Sequence, residues 1–232
     1  MTTHSRWIEI ETDAGKMPAY LSLPPAGKGP GIILIQEIFG VNAHIRDVAD
    51  LYAKAGYAVI APDIFWRSEP RVELGYVSPD RDRGISLMQQ VDIGKTMSDL
   101  GAAGQALRAL PEFAGKVASI GYCFGGLLSY LAAAHGLVDT AVAYYGGGIQ
   151  NKLELAAKVS VPMLFHYGQL DSHIPLSAIE QIKAAFGGRG GAEFHVYPNA
   201  DHGFNCWARS SFNQNASALS LGRTLQFLAT HA

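Results

Sequence analysis

Short apolar runs alternate along this chain with longer stretches whose apolar residues recur every three or four positions. Residues 7–11 and 19–23 alternate in and out and predict an antiparallel opening pair of strands. Residues 31–36 (GIILIQ) are continuously β-rich, the pattern of a strand buried on both faces. A helix is predicted over residues 42–55, closed by Gly56, and then a strand over 57–61. After a polar loop, residues 81–110 read as one long helical stretch. Strands over 116–120, 140–144, 163–167 and 193–197 follow, interleaved with helices over 124–134, 176–186 and 213–230. Strand–helix alternation of this kind predicts an α/β fold, a mostly parallel central sheet with helices on both faces. No repeat or dividing linker interrupts it, so residues 1–232 are expected to form a single domain. The glycine-rich residues 187–191 lie between a helix and a strand and read as a loop.

Composition narrows the function classes. The 232 residues are 48% apolar and only 16% charged, with a formal net charge of −2. A chain of this length removes about 70% of its unfolded surface from water on folding, enough for a substantial core. No cluster of Lys and Arg forms a nucleic-acid footprint. The apolar run at residues 31–35 is too short to span a bilayer, and residues 1–6 are polar, without the apolar core of a signal peptide. Two cysteines make no disulfide framework, so a reducing cytoplasm is the expected location.

The chemistry concentrates at residues 116–126 (KVASIGYCFGG). A strand ends at Gly121 and a helix begins just after Cys123, so Gly-x-Cys-x-Gly sits at a strand–helix junction. This is a nucleophile elbow with cysteine in place of serine. The turn is sharp, and a Cβ at Gly121 or Gly125 would meet neighbouring backbone. It lifts the sulfur above the sheet at a helix N-terminus, where free N–H groups favour a thiolate and a developing oxyanion. The Phe124 amide is then one oxyanion donor. Taken alone, the pentapeptide suits a buried structural cysteine as well as a catalytic one. The partners decide. A cysteine nucleophile needs a base and the base an orienting carboxylate, each on a loop after a later strand. The strand at 163–167 leads to Asp171, and the strand at 193–197 leads to His202, in the required order.

The rivals are weaker. Asp201 adjoins His202, and sequence neighbours diverge. His173 reads as a surface residue, His166 as a core histidine, and Ser129 as helix packing. His4, His44, His135, His195 and His231 lack metal-ligand spacing, and no metal or organic cofactor is expected.

Over nearly its whole length the chain resembles the dienelactone hydrolases (carboxymethylenebutenolidases) of the α/β-hydrolase superfamily. Residues 36–42 (QEIFGVN), 56–57, 62–63, 121–126 (GYCFGG), 144–146 and the two loops just described carry the resemblance. It implies a triad of Cys123, His202 and Asp171, with Glu37 as an additional carboxylate beside the thiol. It further implies Ile38 as the second oxyanion amide, Arg81 as a binder of a substrate carboxylate, and a monomer in aromatic-compound catabolism. Glu37 also follows a buried strand, where ligand sites of open α/β sheets gather. Three positions depart from the family. Cys206 stands where it has a second arginine, Ile85 where it has tyrosine, and Gly203 where it has serine. Arg209 is a candidate substitute for the missing cation.

The expected activity is cysteine-dependent hydrolysis of a small carboxylic ester or lactone through a thioester, dienelactone to maleylacetate by resemblance. Phe39, Phe65, Trp66 and Tyr145 are candidate apolar walls. A related esterase acting on a neutral ester is the alternative that Cys206 suggests. A non-catalytic binding or redox-sensing protein, pairing Cys206 with Cys123, is the alternative of another class.

Overall fold

The computed structural model describes residues 3–188 and 191–232. Residues 189 and 190 of the glycine-rich stretch therefore lie outside the described residues. The chain divides into two compact units, one running to Ser119 and including Ala232, the other spanning Ile120–His231.

In the first unit, β1 (His4–Thr12) and β2 (Gly15–Leu23) form the expected antiparallel pair, in register from His4 opposite Leu23 to Thr12 opposite Gly15. The pair is longer than predicted because its tip residues are polar. Backbone pairing continues there with no apolar pattern to report it. Strand β3 (Gly29–Ile35) lies parallel to β4 (Ala58–Pro62), and β4 runs antiparallel to β2, giving the local order β1-β2-β4-β3. Helix α1 (Ala43–Lys54) is capped by Asn42, whose side chain accepts the Ile45 amide at 3.2 Å. Its stripe of Ile45, Val48, Ala49 and Tyr52 is buried, the helix packing on β2 and β4.

The single helix expected over 81–110 is two: α2 (Asp80–Gln89) and α3 (Ile93–Arg108). Asp92 makes the break. Its backbone is extended, and its carboxylate accepts the Lys95 amide at 3.0 Å, starting a new helix. This local competition with the helix is what short acidic side chains offer, and an uninterrupted periodicity hides it.

Strand β5 (Phe113–Tyr122) passes from the first unit into the second. In the second unit β6 (Thr140–Tyr144), β7 (Met163–Gly168) and β8 (Ala192–Tyr197) are parallel neighbours in that order. Helix α4 (Phe124–Ala134) packs on β6, and α6 (Gln214–His231) on β6 and β7; α5 (Leu176–Phe186) completes the set. Two short 3-10 turns at Ile149–Asn151 and Leu153–Lys158 have no counterpart in the sequence pattern. No helix among the described residues is long and apolar enough to cross a membrane.

Candidate active site

Cys123 sits between the end of β5 and the start of α4 with φ 54° and ψ −114°, backbone that an L-residue adopts only under constraint. Three contacts hold it. Its amide donates to the Tyr144 carbonyl at 3.0 Å, and its own carbonyl accepts the Gly126 amide at 2.9 Å. A methyl group on Gly121 would stand 1.8 Å from the Gly125 carbonyl oxygen, so only glycine lets strand and helix approach this closely. The same holds at Gly126, whose Cβ would lie 2.8 Å from both the Gly146 Cα and the Tyr144 carbonyl oxygen. The helix is thereby pressed against the end of β6. Phe124 opens α4, where the first amides have no intrahelical acceptor.

Two loops after β7 and β8 bring Asp171 and His202 together. The Gln169 amide donates to the Tyr197 carbonyl at 2.9 Å and the Leu170 amide to the Ala200 carbonyl at 2.8 Å, stitching one loop to the other. Gly168 makes this possible, since a Cβ there would meet the Ala200 carbonyl oxygen at 2.5 Å. The Asp171 side chain is fully buried; Oδ2 pairs with His202 Nδ1 at 2.7 Å and Oδ1 accepts the His173 amide at 2.9 Å. A buried carboxylate with both oxygens engaged fixes the imidazole's orientation and leaves Nε2 for the cysteine. Burial opposes charge on His202. The charge of Cys123 and the hydrogen bonds to Asp171 and Cys123 outweigh it, raising the imidazole from 6.5 to about 10. Cys123, His202 and Asp171 thus form one hydrogen-bonded line within one compact unit.

The rival histidines and acids fall into place around it. Asp201 uses its carboxylate on the His202 backbone amide at 2.6 Å, away from the ring. His166 is a satisfied core histidine: Nδ1 meets the Tyr197 hydroxyl at 2.8 Å and Nε2 the Thr224 hydroxyl at 2.9 Å. Complete burial, with His195 and Arg223 nearby, holds it well below the usual imidazole range. Thr224 continues to the Tyr144 hydroxyl at 2.7 Å, so α6 is tied to the strand that anchors the Cys123 amide. Ser129 is buried in α4. Tyr145 is fully buried with φ 36° and sets its ring edge-on to His202 at a centroid distance of 5.1 Å. It packs against the imidazole, a contact its sequence position does not signal. His173, an expected surface residue, is exposed but also lies edge-on to His202, at 5.2 Å.

The remaining candidates belong to the first unit. Glu37 is buried at the end of β3, next to Gln36, whose side chain donates to the Glu37 carbonyl and accepts the Ile64 amide. Ile38 and Phe39 are buried; Phe39 packs edge-on to Tyr76 at 4.6 Å. Phe65 is core. Trp66 donates its indole N–H to Asp99 at 2.9 Å beneath the Arg67 guanidinium, an arrangement that ties the β4 loop to α3. Arg81 is exposed in the first turn of α2.

Gly203 and Cys206, the positions that the resemblance sets apart, also have a geometry. Gly203 has φ +78°, and a Cβ on it would lie 2.4 Å from an Arg209 guanidinium nitrogen. Glycine after the histidine therefore makes room for Arg209 beside the His202 loop. Cys206 is fully buried, and neither cysteine is in a disulfide. Among the described residues no group of three or more His, Cys, Asp or Glu is arranged to hold a metal.

Residues 17–232 match the dienelactone hydrolase family profile. Carboxymethylenebutenolidase 1 of Cupriavidus pinatubonensis is 34% identical, and the carboxymethylenebutenolidase of Pseudomonas putida 36%, each over 224 residues covering 96% of this chain and 95% of the relative. A Klebsiella pneumoniae protein assigned as a dienelactone hydrolase is 29% identical over the whole of both chains, with a TM-score of 0.88. P91, a dienelactone hydrolase-like promiscuous phosphotriesterase from metagenomic libraries, shares the fold at 21% identity and TM-score 0.82. Eight strands in a mostly parallel sheet with intervening helices are the α/β-hydrolase architecture of these structures. By profile, by relatives and by fold, this chain belongs to the dienelactone hydrolase family, whose members hydrolyse ester or lactone bonds.

Proposed function

We propose that this chain is a thiol-dependent hydrolase of a small carboxylic ester or lactone, working as one α/β-hydrolase domain. The hydrogen-bonded line from Cys123 through His202 to buried Asp171 is the observation that carries this reading. The His202 imidazolium, favoured by Cys123 and Asp171, stands beside the sulfur. The sulfur attacks the acyl carbon, and the carbonyl oxygen's developing charge is received by the Phe124 amide at the start of α4, with the Ile38 amide as its expected partner. Collapse breaks the acyl–oxygen bond. The leaving oxygen departs as an enolate or alkoxide that takes the His202 proton, and the acyl group stays on Cys123 as a thioester. His202, now neutral, takes a proton from water as it attacks the thioester; collapse breaks the carbon–sulfur bond, releasing the acid and returning the sulfur and the protonated imidazole to their starting state.

Thiolate leaves more readily than alkoxide, so a thiol enzyme gains most where the substrate's own leaving group is stabilised, as in an enol lactone. This favours dienelactone-type substrates, hydrolysed to maleylacetate, over plain alkyl esters. Arg209 beside the His202 loop supports a carboxylate-bearing substrate, with exposed Arg81 as a further candidate. Buried Cys206, where the family carries arginine, favours the neutral-ester alternative. Glu37 is proposed as the carboxylate that tunes the thiol. A thiol nucleophile also suits a reducing compartment, hence the cytoplasm. A monomer suffices, because the triad comes from one unit of one chain.

The test is turnover of a dienelactone and of an activated aryl ester by the purified protein and by Cys123→Ala. Loss of at least about a thousandfold in kcat is expected for the variant, with an unchanged circular dichroism spectrum. Wild-type rates in Cys123→Ala would refute the nucleophile assignment.

A further inference from the structure

The outer face of the catalytic imidazole is covered by a side chain that the family's chemistry does not call on. His173 sits two residues after Asp171, on the same loop. Its backbone N–H donates to Asp171 Oδ1 at 2.9 Å while Oδ2 of that carboxylate holds His202 Nδ1 at 2.7 Å. Its ring meets the His202 ring at a centroid distance of 5.2 Å and an interplanar angle of 76°, edge to face. Tyr145 makes a second edge-on contact with the same imidazole, at 5.1 Å and 61°. The two neighbours differ in kind: Tyr145 is fully buried and His173 exposed. The bonds to Asp171 and Cys123 lie in the plane of the imidazole, and the aromatic contacts bear on the ring from its neighbours. Two aromatic neighbours thus lie against the ring, one of them on the solvent side, and the His202 side chain is only 11% exposed.

We propose that His173 is a positioning residue for hydrolysis, its ring holding His202 in line with the sulfur and shielding the imidazole from water. The proposal rests on the reading of His202 as the general base. It assigns the ring of His173 and not its amide, which is already committed to Asp171. Restraint of the base should be felt in the chemical step. Substrate affinity should be largely indifferent to it.

Substitution at residue 173 keeps the backbone N–H and removes or replaces the ring alone. His173→Ala should lower kcat on an activated aryl ester about two- to tenfold, the range an aromatic pair supports, with KM within about twofold of wild type. His173→Phe, which restores an aromatic edge without a titratable group, should recover most of that kcat. In NMR spectra of His173→Ala, the His202 ring resonances should broaden or shift and its titration midpoint should move towards the ordinary histidine value. In His173→Phe they should stay near wild type. Unchanged kcat and unchanged His202 resonances in His173→Ala would overturn the proposal, as would a His173→Phe variant as impaired as alanine. The His202 resonances do not depend on how the ester is cleaved. Failure of the nucleophile assignment would appear separately, as undiminished turnover in Cys123→Ala.

Discussion

Cys123 is held in backbone that an unconstrained residue avoids, and the constraint comes from neighbours one can name: Gly121, Gly126 and the Tyr144 carbonyl. Residue by residue, the site follows from close approaches that a single Cβ would prevent. The electrostatics follow from the same closeness. His202 is raised to about 10 by Cys123 and Asp171 against the cost of its burial. Below about 6.5 the proton is bound in both folded and unfolded chains, and the full stabilisation is present. Between that value and about 10 only the folded protein retains it, so this group's contribution to stability is lost as pH rises through the window. Thermal unfolding from pH 7 to 10 should therefore show a Tm that falls with pH, and the slope should flatten in Cys123→Ala, which removes the main charge favouring the imidazolium. An equal slope in the variant would mean that the coupling lies elsewhere. The alkaline limb of kcat/KM should share a midpoint near 10, where the imidazole loses the proton that the leaving group needs.

Among the elements, the loops after β7 and β8 decide whether acid and base meet. Gly168→Ala would push a methyl group against the Ala200 carbonyl, and overpacking of this kind costs about 1–3 kcal/mol. The variant should be less stable by that amount in urea. It should also lose kcat by more than about tenfold, because the loops that carry Asp171 and His202 must separate. Retention of full kcat with lowered stability would show that the two side chains do not depend on this contact. Asp92→Ala, by contrast, removes the cap that starts α3 and should cost about 1 kcal/mol of stability without touching the triad.

These cases also show what the amino-acid order makes legible. The sharp turn at Cys123, the placement of Asp171 and His202 on the loops after β7 and β8, and the opening strand pair are readable because glycine spacing and apolar period are local signals. The break at Asp92 is equally local but weak: one side chain against a long helical period. Tyr145 and His173 flank His202 from positions 57 and 29 residues away in the chain, and no sequence period encodes an edge-to-face contact at that separation. The nearness of Arg209 to Gly203 is of the same kind, since spacing alone leaves the direction of a long side chain open.

For the molecule as a whole, membership of the dienelactone hydrolase family sets the reaction class, and the substrate is the open question. With Arg209 as the cation, free-acid substrates should be preferred over their methyl esters. Arg209→Ala should then raise KM for the acids about tenfold, leaving the esters unaffected. Equal treatment of both by the wild type would favour a neutral substrate. The most direct test of the account is whether the acyl group passes through sulfur. Acid quench of the enzyme within the first turnovers of an activated ester, followed by mass spectrometry of its peptides, should find the acyl mass on the peptide containing Cys123. It should be labile to hydroxylamine and accumulate in His202→Ala. An acyl adduct on another residue, or none at any time while product forms, would contradict it.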